Sequence, residues 1–159
     1  MNRFAVRASV VVGSLAALLL GLATSQAQMA AKPGSGDPVA DRQRLMKLNG
    51  ASWKDVQDKV KAGQIEAVVV NAETMAINAK HIPSLFPEGS LTDKSKAKPE
   101  IWQKFAEFEA ASKNLETKSE ELREAARAKD QAKVEALVKD FGRQACGTCH
   151  QPFRQPQQQ

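Results

Sequence analysis

The stretch PEIWQKFAEFEAASKNLETKSEELREAA, residues 99–126, decides the fold. Its Ile101, Phe105, Phe108, Ser112, Leu115, Ser119, Leu122 and Ala126 recur every three or four residues. That spacing lays one largely apolar stripe along a helix whose other faces carry Lys and Glu. Pro99 reads as the first helical residue, where a missing N–H costs nothing. Upstream, FPEGSLTDKSKAK (86–98) holds Pro87, Gly89 and Ser90 without periodicity and reads as a long loop. Before it, a second helix runs from about Ile65 to His81 and is ended by Pro83, with Ile65, Val69, Ala72, Ala76 and Ala79 inward. A first helix opens on Asp37 as cap with Pro38 behind it and stops near Gly63. Its inward stripe is Val39, Arg42, Met46, Asn49, Trp53, Val56 and Val60. Downstream of a break at Lys129–Asp130, a fourth helix turns Val134, Val138, Phe141, Ala145 and Cys149 inward.

No Tyr occurs, and no alternating β-branched run is bounded by hairpin turn signals, so no strand is expected. Four amphipathic helices whose steps alternate three and four predict an all-α, left-handed, mostly antiparallel four-helix bundle over residues 38–154. A flexible leader, 28–37, precedes it, and a disordered Gln/Pro tail, 155–159, follows. The inward set is light in large side chains, with repeated alanines in the second and fourth helices and with Arg42 and Asn49 at apolar positions. A large internal prosthetic group would account for both features. A modestly stable bundle with polar stripe edges would account for them as well.

Residues 1–27 have the layout of a secretory signal peptide: basic Arg3 and Arg7, an apolar run from Ala8 to Ala23, then Ser25-Gln26-Ala27 as the cleavage site. The apolar run is short for a spanning helix of roughly 20 residues, so export to the periplasm without stable membrane insertion is expected. The chain carries 23 basic and 18 acidic residues, a net charge of +5. Removing Arg3 and Arg7 leaves 21 basic residues against 18 acidic. Both signs are interleaved, as in KSEELREAARAKDQAKVE, which describes a solvated helical surface and excludes a nucleic-acid-binding block.

The strongest chemical signal is Cys146-Gly147-Thr148-Cys149-His150, which holds both cysteines of the chain. Two thiols three residues apart reach the two vinyl groups on one edge of a haem, and the next histidine projects beneath the iron. Composition alone would produce this triple on the order of once in three thousand such chains. A thioredoxin-like redox pair expects a βαβ setting with the cysteines opening a helix. A structural zinc site needs four ligands, and His81 is the only reserve. A plain disulfide would close too small a loop to stabilise much. One covalently attached haem c with its iron is therefore expected, held by Cys146 and Cys149, with His150 as axial ligand.

With this motif ending a four-helix chain, the sequence resembles the class II c-type cytochromes, the cytochrome c′ family. RQRLMKLNGASW (42–53), LFPEGS (85–90), KPEIW (98–102) and CGTCHQPFR (146–154) carry the resemblance, which covers essentially the whole mature chain. It implies haem between the helices near one end, His150 as proximal ligand, Arg42 close to a propionate and Met46 facing the distal side of the iron. The family has a low-spin branch, with a first-helix methionine as sixth ligand, and a high-spin branch whose iron stays five-coordinate. LMKLNG looks more like the low-spin branch.

Read from chemistry alone, Met46 is a thioether on the inward stripe, suited to the Met/His pairs that raise a haem's potential. As a common gap-filler, it would also serve merely to pack a pocket. Arg154, four residues beyond His150, either covers a haem edge or is an exposed terminal charge. His81 sits where an imidazolium suits the end of the second helix, and Trp53, Trp102, Phe105 and Phe108 suit a core. The expectation is a non-enzymatic monohaem carrier cycling between Fe(III) and Fe(II), with redox proteins as partners and no catalytic residues. The alternative is a five-coordinate haem that binds nitric oxide or a similar small gas. The family also implies homodimers, for which the surfaces of the first two helices are candidates.

Overall fold

The computed structural model describes residues 34–156. The expected signal peptide (1–27), the leader up to residue 33 and the tail from residue 157 lie outside the described residues.

α1 (Pro38–Lys61) starts as its sequence dictates: the Asp37 carboxylate accepts from the backbone N–H groups of Val39 and Ala40, at 2.9 and 3.1 Å. Such a cap contributes about 1 kcal/mol. The last residues of the leader are also tied down, because Ser35 donates from its backbone N–H and its hydroxyl to the Asp41 carboxylate. α1 ends before Gly63, whose φ of 71° is the left-handed conformation that suits a helix stop.

The second helix departs from its expected register. Residues Ile65–Ala67 form a 3-10 turn before α2 (Val68–His81) begins. Three residues per turn, rather than 3.6, advance the inward face, so Val68 is fully buried and Val69 only half-buried. Met75, which the expected stripe omitted, is buried among Ala72, Ala76 and Ala79.

The third helix is broken. α3 (Glu100–Gln103) and α4 (Phe105–Arg127) are separated at Lys104, with φ −127° and ψ 44°, and Pro99 precedes the first helical residue instead of occupying it. The Trp102 indole N–H donates to the carbonyls of Phe86 and Pro87 at 3.1 and 3.0 Å, which ties the short α3 to the preceding loop. Phe108 is buried, while Phe105 is only half-buried. The fourth helix is likewise composite. α5 (Gln131–Phe141), capped by Asp130 on the Lys133 N–H, passes into a π-helical turn at Gly142–Gly147 and then into α6 (Thr148–Phe153).

Together these elements make the expected all-α four-helix bundle, with no strand among the described residues beyond the single bridge between Ala97 and Arg154. The most extensive helix pairing is α2 with α4. It uses small residues: the backbones approach closely enough for Ser112 Oγ to donate to the Ala79 carbonyl at 2.7 Å. The α2 alanines therefore serve close helix packing, and none of them lines the cleft described below. Asn49 also has a local explanation, since its side-chain carbonyl accepts from Asn78 across α1 and α2 at 2.8 Å.

At one end of the bundle the long loop is sewn to the chain terminus. The Lys98 N–H donates to the Phe153 carbonyl and the Gln155 N–H to the Lys96 carbonyl, at 2.9 and 2.8 Å. Gln155, expected in the disordered tail, is thus held by the loop.

Candidate functional site

The loop, the N-terminal half of α1 and the C-terminal end of the chain enclose a cleft of about 400 Å³, a volume typical of small-molecule and cofactor sites. Its inner wall is apolar: Phe86, Ile101, Phe108 and Phe153 line it. Phe108 packs edge-on against both Phe86 and Phe153, with ring centroids 4.7 and 5.4 Å apart. This aromatic cluster draws on the loop, α4 and α6, so the cleft has rigid walls from three parts of the chain. Trp53 packs elsewhere, stacked on Phe141 at 4.7 Å.

Five of the six residues singled out from sequence line this cleft: Arg42, Met46, Cys149, His150 and Arg154. Cys146 does not line it, but lies half-buried against the hydrophobic core. A regular α-helix would put Cys146 and His150 about one turn apart. Cys146 lies near the end of the π turn, with its wider winding, whereas Cys149 and His150 lie on α6, and Thr148 Oγ1 donates to the Ala145 carbonyl at 3.0 Å as α6 begins. Arg154 is half-buried at the cleft, its backbone paired with Ala97, so it is not a loose terminal charge.

Arg42 is more deeply engaged than expected. Its guanidinium is buried and donates to Leu85 O (3.3 Å), Ser90 Oγ (2.9 Å), Ser90 O (2.7 Å) and Ser95 Oγ (2.7 Å). It also lies 4.6 Å from the centre of the Phe86 ring. Four of its five N–H groups thus hold the long loop in place, and Nε–H is the donor that remains. Ser90 and Ser95, which accept from Arg42 and of which Ser95 lines the cleft, escaped sequence reasoning. The only signal was a buried arginine on an apolar stripe, whose neutral acceptors had to come from somewhere distant in the chain.

The electrostatics narrow the chemistry. Burial pushes the Cys146 thiol up, and burial together with Cys146 pushes Cys149 up to about 11. A thiol redox pair needs the opposite shift. Burial, with the charge of Arg154 second, lowers the pKa of His150, which favours the neutral imidazole that a metal requires. Among the described residues no cluster of three or more His, Cys, Asp or Glu could hold a metal ion by itself, and His81 is exposed at the end of α2. Apolar aromatic walls, a half-buried imidazole, a thioether and basic side chains at the mouth together fit a haem.

Comparison with known proteins gives the same family. The profile described as Cytochrome C' matches residues 37–154. The chain is 35% identical over 142 residues to cytochrome c-556 of Agrobacterium fabrum, covering 87% of this chain and 92% of the relative. It is 31% identical over 121 residues to cytochrome c' of Pararhodospirillum photometricum, covering 74% and 95%. Among solved structures, the nitric oxide complex of a cytochrome c prime variant from Alcaligenes xylosoxidans is similar with a TM-score of 0.67. It is 26% identical, with 76% of this chain and 95% of that chain covered.

Proposed function

The chain belongs to the cytochrome c′ family, whose members carry one covalent haem c, and on that premise we propose that it is a periplasmic electron-transfer protein in which His150 and Met46 would hold the haem iron. Cys146 and Cys149 fit the CXXCH attachment motif. The observation that carries the electron-transfer reading is that Met46 and His150, 104 positions apart in sequence, line one cleft. Bound haem supplies an iron that takes up and releases one electron between Fe(III) and Fe(II).

The residues of the chain set how that happens. His150 offers a half-buried imidazole whose lowered pKa favours the neutral form, and Met46 a thioether, the pairing that raises a haem's reduction potential. The aromatic wall of Phe86, Phe108 and Phe153 keeps water off the buried side. Arg42 and Arg154, which both line the cleft, would pair with the propionates. No residue is assigned a catalytic role.

Export through residues 1–27 is part of the same reading. No helix among the described residues is long and apolar enough to cross a membrane. Two copies would pair through the surfaces of α1 and α2, where Leu48, Val70 and Ile77 are exposed.

The second reading draws on the Alcaligenes xylosoxidans neighbour, solved as a nitric oxide complex. In that case Met46 would only fill the distal side of a five-coordinate haem. Absorption spectra of the periplasmically expressed holoprotein separate the two. A low-spin ferric spectrum whose sulfur-to-iron band disappears in Met46→Ala is expected. A high-spin ferric spectrum in the wild type at neutral pH sinks the Met/His reading in favour of gas binding.

A further inference from the structure

Over most of the described surface, basic side chains are neutralised by neighbours. Lys54, Lys59, Lys80, Lys113, Lys118 and Lys129, for example, each meet a carboxylate. The cleft departs from this pattern. Arg42, Lys47, Lys96 and Arg154 line it, and among the described residues no carboxylate lines it and none pairs with these four. Two more lysines without an ion-pair partner among the described residues stand beside them. The Lys94 carbonyl accepts from Gln43, another lining residue, and Lys98 Nζ donates to the Gln151 carbonyl next to His150. Glu88 and Asp93 lie in the same loop but outside the lining.

The arrangement is costly to the isolated protein, because like charges crowd one mouth without local compensation. The two propionates of a bound haem would offset part of that charge and leave a cationic excess. Lys47 and Lys96 are exposed, so their charges project to solvent beside the site. We propose that this unpaired cationic mouth is the docking surface for an acidic redox protein, which exchanges electrons with the haem across it. The inference rests on the electron-transfer reading above. The cations are confined to the rim of one cleft, a patch matched in extent by a carboxylate cluster on a protein face rather than by a continuous anionic bilayer. Opposite charge at the point of electron exit also raises encounter rates, with a strong dependence on ionic strength.

The test is stopped-flow oxidation of the ferrous holoprotein by hexacyanoferrate(III), and separately by the cation tris(phenanthroline)cobalt(III). In each reaction one electron leaves Fe(II), giving Fe(III), and the oxidant is reduced by that electron. With hexacyanoferrate(III) the rate is expected to fall as salt rises, and to fall roughly tenfold in the Lys47→Glu/Lys96→Glu double variant at low salt. The cobalt complex is expected to react faster with that variant. Polyaspartate, standing in for an acidic protein face, should slow the wild type and spare the variant. Lys133→Glu/Lys139→Glu, which reverses two α5 cations outside the cleft, should behave as wild type.

Equal effects from the two double variants would show that only net charge matters and overturn the proposal. So would a shift in midpoint potential large enough to explain the rate change, since the lysines would then act on the propionates. Retention on phosphatidylglycerol vesicles without any response to polyaspartate would also overturn it, in favour of a membrane surface. A holoprotein that exchanges electrons rapidly but without charge dependence removes only this inference. One that reacts with neither oxidant removes the electron-transfer reading as well.

Discussion

Along the seam between α2 and α4 many of the buried side chains are small, among them Ala72, Ala76, Ala79, Ser112 and Ser119, and Glu116 of α4 meets Lys80 of α2 and Lys113 of its own helix. Around the cleft the buried side chains are aromatic, and the cations meet no carboxylate among the described residues. One region is held together by the chain itself: backbones close enough for a Ser112-to-Ala79 hydrogen bond, and the Glu116 charge met on the spot. The other is built for something that the chain does not itself supply. The contrast teaches where function sits. Of these two regions it is the cleft that leaves charge and apolar area uncompensated, while the seam carries the stability that lets it do so.

The largest effect is expected where the two regions share a residue. Phe108 is almost wholly buried, stands on the helix that forms the seam, and also lines the cleft. Phe108→Ala should destabilise the protein by about 3–5 kcal/mol in a urea titration, because it leaves a cavity among Phe86, Phe105 and Phe153. It should disturb the haem absorption bands at the same time. A spectrum that stays native while stability drops would mean that the cleft wall is held by the loop alone.

A smaller effect, confined to one region, is expected from Ala76→Leu. Ala76 is 2% exposed in the seam and does not line the cleft. Overpacking there should cost about 1–3 kcal/mol by forcing α2 and α4 apart, with oxidised and reduced spectra unchanged. Loss of haem attachment in that variant would show that the two regions are not separable.

Much of this was legible in the sequence. The start of α1 was written in Asp37-Pro38, and the α4 stripe found Phe108, Ser112, Leu115, Ser119 and Leu122, all of them buried. The CGTCH segment and the inward position of Met46 found both ends of the cleft. What escaped reading was set by tertiary contact. Lys104 breaks a helix that has no Gly or Pro near the break, at the point where Trp102 is tied to Phe86 and Pro87. The α2 register slipped because a 3-10 turn and the first turn of an α-helix have nearly the same local preferences. The alanines of α2, open to a prosthetic-group explanation in sequence, belong to the seam. The four hydrogen bonds of Arg42 to the loop depend on chain folding back across more than forty residues, which no local pattern records.

The smallest expected effect is a difference in acid response between the two regions. Hydrogen bonding from Lys113, with further help from Lys80, holds the Glu116 carboxyl below the ordinary carboxylate value, against a burial that works the other way. A group whose folded-state pKa is lowered stabilises the fold above its unfolded pKa, and that contribution disappears as pH falls through the folded value. Acidification below about pH 4.5 should therefore weaken the seam, where Glu116 links α4 to α2. The cations of the cleft stay charged over the same range and contribute nothing to the loss. Glu116→Gln should lower stability at neutral pH and flatten the acid limb of a plot of urea midpoint against pH. Between pH 7 and pH 3 the wild-type and variant curves should converge. Curves that stay parallel throughout would mean that Glu116 titrates alike in the folded and unfolded chain, and that the seam owes its cohesion to close packing alone.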